Sequence, residues 1–167
     1  ITGLGMVTSL GNDVPTNWQN LLQGKSGAGE ITHFDCTKFK TQFACEVKDL
    51  ELTGLFDPKE QRRYDRYIHL AFKSAEEAIQ DAQIDMNLED KLRCGVIYGS
   101  GMGGIKTLDV NIGGFGAGDG TPRYSPFFIP MIITNMAAGM LAIRYGFKGV
   151  NYATTSACAS SSHAIAN

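Results

Sequence analysis

Of the four cysteines and three histidines in this chain of 167 residues, Cys158 has the surroundings of a nucleophile. It lies in Thr154-Thr155-Ser156-Ala157-Cys158-Ala159-Ser160, with only small residues on either side, so that a substrate could approach the sulfur closely. The run also reads as a turn from a strand into a helix. The unpaired backbone N–H groups and partial positive charge of a helix N-terminus favour thiolate over thiol. The arrangement resembles a nucleophile elbow, although the GxSxG pattern is missing. A cysteine among alanine and serine can equally be a small buried hydrophobe, and spacing alone leaves both readings open.

A nucleophile needs a base. His163 follows Cys158 by five residues, and at about 100° per residue it faces roughly 140° away around a helix. His69 falls beside an apolar helical stripe and His33 in a loop, settings in which a histidine is structural or solvated. Acid–base groups are therefore expected to be missing from these residues or to lie beyond Asn167. Cys36, Cys45 and Cys94 stand far apart, with no CxxC pair and no Cys/His cluster at zinc spacing. Neither a disulfide framework nor a bound metal is expected, and reduced thiols fit a cytoplasmic protein.

Two further groupings carry possible chemistry. Gly99-Ser100-Gly101-Met102-Gly103-Gly104 satisfies GxGxxG after an apolar run, which raises a nucleotide-binding module as a function of a different class. A dinucleotide site needs a full helix next and then a strand ending in Asp or Glu. Residues 113–120 read instead as a flexible glycine-rich tip, so glycines that permit close backbone approach beside a site are the better reading. Lys59, Arg62, Arg63 and Arg66 follow helical spacing and would form one basic stripe, roughly 140° from the apolar one. Such a stripe is either a dock for an anionic partner or a solvated face with partial pairing. With 15 basic against 17 acidic residues, the net charge of −2 argues against a nucleic-acid partner.

The elements that must position these residues follow from patterning. A hydrophobic share of 43% is that of a globular chain with one sizeable core. No apolar run approaches the roughly 18 residues of a membrane span, and no secretory leader is evident, so no membrane partner is expected. Residues 1–8 read as a strand into a turn. Pro15 opens a helix with Trp18, Leu21 and Leu22 on one side, stopped by Gly24. Residues 24–41 form an ordered loop with Ile31, Phe34 and Phe39 to bury, and residues 43–47 a short strand. Asp57-Pro58-Lys59-Glu60 starts a helix with an N-cap, a first-turn proline and a capping box, and its apolar stripe runs from Tyr64 to Ala82 over about seven turns. Residues 94–98 and 150–155 are predicted strands. Before the second, a helix over 131–145, apolar nearly all round, is closed by Gly146. Helices alternating with short buried strands give the α/β class. Ile1 in place of methionine, and a last helix without a stop signal, point to a piece of a longer protein cut at both ends.

With the elements in place, the segment around Cys158 is similar to the active-site segment of β-ketoacyl-acyl-carrier-protein synthases, the type II condensing enzymes of fatty acid synthesis. Ile1-Thr2-Gly3-Leu4-Gly5, Gly99 to Gly104, and Ser125-Pro126-Phe127-Phe128-Ile129-Pro130 match in order and separation. The resemblance covers residues 1–167 as the first half of a thiolase-like, layered α/β/α/β/α architecture. It implies that Cys158 accepts an acyl group from a carrier-protein thioester, with its own backbone N–H as one oxyanion donor and Ala157 beside the substrate. Malonyl-carrier protein would be the second substrate, decarboxylated to the carbanion that attacks the acyl-thioester. The resemblance places Met102 on the acyl tunnel, with Phe128 reaching it from the second subunit of a homodimer. It assigns Lys59, Arg62 and Arg63 to a basic patch for the acidic acyl carrier protein, and it implies no cofactor. Two catalytic histidines, a lysine and the second oxyanion donor would lie in the later half, so these residues alone are not expected to condense. A polyketide-type ketosynthase shares the nucleophile and would differ in substrate.

Overall fold

A computed structural model describes all 167 residues, which divide into two units. The first comprises Ile1–Leu55 and Lys73–Ile84, the second Phe56–Phe72 and Asp85–Asn167.

In the first unit helix α1 (Val14–Leu22) is capped by Asp13, whose carboxylate accepts from the Thr16 N–H at 2.7 Å. Its buried residue is polar. Asn17 donates to the carbonyls of Gly11 and Asp13 at 2.8 and 2.7 Å, while Trp18, Leu21 and Leu22 stay exposed. The strand expected over residues 1–8 does not form. The N–H groups of Leu4 and Met6 donate instead to the carboxylates of Asp81 and Glu77 at 2.9 and 2.8 Å, so side chains take the place of a ladder. Strands β1 (Gly29–Glu30) and β2 (Phe43–Ala44) pair antiparallel, β2 being shorter than the expected 43–47. The loop between them does not bury its aromatic rings: Phe34 and Phe39 are exposed and meet only edge to face, 5.6 Å apart. Its anchor is the buried Glu46, whose carboxylate accepts from Thr32 N–H at 3.0 Å, Thr32 Oγ1 at 2.8 Å and His33 N–H at 3.3 Å.

The second unit begins with α2 (Pro58–Gln61), which carries the predicted capping box between Asp57 and Glu60. The single helix expected from Asp57 to Ala82 is broken, and α3 (Arg66–Asp81) starts afresh, its later residues belonging to the first unit. Asp65 accounts for the break. Its buried carboxylate accepts from Tyr67 N–H at 3.2 Å, as a new cap, and from both N–H and hydroxyl of Thr107. Strand β3 (Val96–Gly99) pairs in parallel with β4 (Asn151–Thr154), Val96 opposite Asn151 and Gly99 opposite Thr154. Helix α4 (Ile105–Ala117) runs through Gly113, Gly114 and Gly116, where a flexible tip was expected. The helix expected over 131–145 is also two, α5 (Phe128–Ile132) and α6 (Met136–Tyr145). Around that break the Ile132 carbonyl accepts from Gly104 N–H at 3.1 Å and the Ile133 carbonyl from the Tyr67 hydroxyl. Gly146 ends α6 in the left-handed conformation, φ 70°. Ile68, Ala71 and Phe72 of α3 and Ala137, Ala138, Leu141 and Ala142 of α6 are the buried apolar residues of these two helices. Helix α7 (Ser160–Ala166) follows β4 after one short turn.

Candidate active site

Every residue singled out for chemistry lies in the second unit: Cys158, Ala157, Met102, Phe128, Lys59, Arg62 and Arg63. Cys158 occupies the turn between β4 and α7 and is exposed, which removes the reading of a small buried hydrophobe. The residue before it is unusual. Ala157 has φ 47°, in the left-handed region that an alanine seldom enters. Around this turn the Ser160 and Thr154 hydroxyl groups are spent on backbone. Ser160 donates to the Ala157 carbonyl at 2.7 Å and accepts from Ser156 N–H at 2.8 Å. Thr154 Oγ1 donates to the Ser160 carbonyl at 2.8 Å, joining the end of β4 to the first turn of α7.

The glycine-rich segment flanks the same turn. Ser100 N–H donates to the Thr154 carbonyl at 3.1 Å, and Thr155 Oγ1 donates to the Ser100 carbonyl at 3.0 Å. A helix does follow Gly104, contrary to expectation, yet these glycines are filled by the chain's own backbone. A Cβ on Gly99 would lie 2.5 Å from Ser161 N, one on Gly103 2.3 Å from the Ile132 carbonyl oxygen, and one on Gly104 2.0 Å from that of Met131. Close approach is thus their use, and those three positions have no room left for a phosphate. Met102, between them, is 72% exposed on this segment. Phe128 is half-buried, with its ring 5.1 Å from that of Tyr124.

The basic residues do not form one helical stripe. Lys59 lies in α2, Arg62 and Arg63 in the break, and Arg66 at the start of α3. Lys59, Arg62 and Arg63 are nonetheless all exposed. Arg62 Nε donates to the Pro58 carbonyl at 2.9 Å, and the Arg63 guanidinium sits 4.8 Å above the Phe127 ring, which orients both side chains. His69 approaches the Gln61 carbonyl at 3.1 Å and packs on Phe56, and burial holds its imidazole below the ordinary value. His163 Nδ1 lies 2.9 Å from Ser156 Oγ, three residues along the backbone from α7's first residue and directed back at the turn. Burial pushes the Tyr67 phenol up to about 12, and its hydroxyl donates to the Ile133 carbonyl. The roles of Ser160 and Asp65 were not legible beforehand. Nothing in the residue types separates Ser160 from its neighbours Ser161 and Ser162; its burial and the two bonds of its hydroxyl do so.

The family model described as the beta-ketoacyl synthase N-terminal domain matches residues 1–167. The chain belongs to the β-ketoacyl synthase family. It is 42% identical over 165 residues to a 3-oxoacyl-acyl-carrier-protein synthase 2 of Synechocystis sp., covering 99% of this chain and 39% of that relative. It is 41% identical, again over 165 residues, to the 3-oxoacyl-acyl-carrier-protein synthase 2 of Staphylococcus aureus, of which it covers 41%. The chain thus spans about two fifths of the length of the curated relatives it matches. Among solved structures, a β-ketoacyl synthase from Burkholderia phymatum superposes with a TM-score of 0.77 at 24% identity, over 99% of this chain and 41% of that one. The ketosynthase solved with the acyl-carrier protein of a type II polyketide synthase superposes with a TM-score of 0.74 at 20% identity, over 99% of this chain and 43% of that one. The fold of this β-ketoacyl synthase domain is therefore the thiolase-like one, as the resemblance implied.

Proposed function

We propose that the protein is a β-ketoacyl-acyl-carrier-protein synthase of fatty acid elongation, with Cys158 as its acyl acceptor. The observation that carries the reading is an exposed cysteine held on a hydroxyl-braced turn between β4 and α7, within a domain of this family. The Cys158 sulfur attacks the carbonyl carbon of an acyl-carrier thioester. The new carbon–sulfur bond forms as the old one breaks, and the thiol proton ends on the released carrier thiol. Malonyl-carrier protein then loses carbon dioxide, and its α-carbon bonds to the acyl carbon. The Cys158 thioester breaks, giving β-ketoacyl-carrier protein and the Cys158 thiolate, which takes a proton from solvent to restore the free thiol. The Cys158 backbone N–H is one donor to the oxyanion of each addition step.

Met102 and Phe128, from partner subunits of a homodimer, line the acyl site, with Ala157 beside it. Lys59, Arg62 and Arg63 receive the acidic carrier protein in a cytoplasmic setting, without a cofactor. No helix is long and apolar enough to cross a membrane. The 41–42% identity to synthases named for 3-oxoacyl-carrier-protein products favours fatty acid over polyketide substrates. Intact-mass analysis of the whole protein, incubated with an acyl-carrier thioester, tests the assignment. The wild type gains one acyl mass and C158A gains none. Acylation of C158A at the wild-type rate would overturn the reading.

A further inference from the structure

We propose that Ser160 is the positioning residue of the nucleophile turn, acting on Cys158 through Ala157; this rests on Cys158 being the acyl acceptor. Ser160 is 3% exposed, and its hydroxyl is used in both directions. It donates to the carbonyl of Ala157 and accepts the N–H of Ser156, at 2.7 and 2.8 Å. One oxygen thus ties the two residues before the sulfur to the helix that follows it. Its backbone carbonyl is held in turn by Thr154 Oγ1, so Ser160 also locks α7 to the end of β4.

The residue under tension is Ala157, whose φ of 47° has no intrinsic preference to recommend it. Without the Ser160 hydroxyl, the Ser156 N–H loses its partner and the Ala157 carbonyl keeps only the longer bond from the Ser160 N–H at 3.2 Å, so the left-handed conformation loses its side-chain brace. Relaxation of Ala157 to negative φ re-aims the Cα–Cβ bond of the next residue, Cys158. The chemical step should suffer while binding of the carrier, through residues elsewhere in the unit, does not. A hydroxyl that merely filled space would not produce that split.

The test is the single-turnover rate of Cys158 acylation in the whole protein, read by intact mass across a range of acyl-carrier thioester concentrations. S160A is expected to acylate at least tenfold more slowly at saturation, with the half-saturating concentration within twofold of wild type. S161A, which alters an exposed hydroxyl on the same turn, is expected at the wild-type rate. S160T keeps the hydroxyl and recovers to within threefold. Glycine takes left-handed φ without penalty, so S160A/A157G should be at least threefold faster than S160A. An S160A rate within twofold of wild type, or a double variant no faster than S160A, overturns the proposal. If circular dichroism shows S160A unfolded, folded S160T decides, and a tenfold loss there overturns it. A wild-type protein that takes acyl on another residue refutes the assignment of Cys158 instead, and is distinguished by mapping the acylated peptide.

Discussion

Gly99→Ala perturbs the site from beneath without altering any side chain near the sulfur. Gly99 ends β3, and an added Cβ would lie 2.5 Å from Ser161 N, 2.6 Å from Ser161 Cα and 2.7 Å from the Ser160 carbonyl carbon. Ordinary van der Waals contact begins near 3.4 Å, and all three obstacles are backbone. Strand β3 cannot yield without breaking its register with β4, so the first turn of α7 must retreat by about 1 Å. That retreat carries the Ser156–Ser160 and Thr154–Ser160 bonds, both 2.8 Å, past the range of a hydrogen bond. Two bonds at about 0.5–1.5 kcal/mol each, with about 1–3 kcal/mol for overpacking, put the destabilisation at about 2–6 kcal/mol. A nucleophile displaced by about 1 Å costs about 100-fold in rate. Urea unfolding of the whole protein and single-turnover acylation of Cys158 measure the two effects. Gly101→Ala is the stability control, because its Cβ would find nothing nearer than the Ala157 carbonyl oxygen at 3.8 Å; it should cost less than about 1 kcal/mol. A G99A protein with an unchanged urea midpoint and acylation within threefold of wild type would refute the seating of α7 on Gly99.

Asp65→Ala strands the buried N–H and hydroxyl of Thr107, and at about 1–3 kcal/mol for each donor it should cost about 2–6 kcal/mol in urea unfolding, with Asp65→Asn recovering part. Glu46 gives a pH dependence. The Thr32 hydroxyl bond, helped by the Thr32 and His33 amides, holds its carboxyl below the ordinary value of 4.5. Its contribution is therefore present above that value and lost as pH falls through the lowered one, so the protection of the Thr32 and His33 amides, measured against the intrinsic exchange rate at each pH, should fall on acidification. In E46Q the protection of these amides should no longer change with pH over that range. Reversing the charge of Lys59, Arg62 and Arg63 together should raise KM for carrier-bound substrate at least tenfold and spare small thioesters; equal effects on both would remove the patch from carrier binding. Met102→Phe should shorten the longest acyl chain accepted, and an unchanged product profile would take Met102 out of the acyl site.

Signals confined to a few neighbouring residues were legible. The Asp57–Glu60 capping box, the Pro15 start of α1 and the Gly146 stop all act within one turn, and β3 and β4 lie within two residues of the expected strands. The apolar stripe from Tyr64 to Ala82 was also real as a pattern, but periodicity reports which side chains face one way, not whether the backbone between them stays helical. The breaks at 62–65 and 133–135 come from hydrogen bonds to residues far along the chain: Thr107 holds Asp65, while Gly104 and Tyr67 hold the carbonyls of Ile132 and Ile133. Helix α4 was missed for the opposite reason. Three glycines at about 1 kcal/mol each argue locally against a helix that nevertheless forms.

These departures share a partner, and it is the segment after β3. Gly104 takes the Ile132 carbonyl and Thr107 takes Asp65, so residues 104–107 interrupt two helices that periodicity alone would have continued. The same segment bonds through Ser100 to both Thr154 and Thr155, at the edge of the nucleophile turn, and carries Met102 between. Four unsatisfied groups appear at each end of every helix, so splitting a helix costs stability unless those groups find partners. Here partners are supplied by Gly104 and by Thr107 in the first turn of α4, which ties the segment after β3 to the start of α3 and to the end of α5. The helical continuity surrendered at Asp65 and Ile133 is thus exchanged for a rigid wall beside the sulfur. That exchange explains why the sequence deviates from simple periodicity where the site is built and not elsewhere along α3.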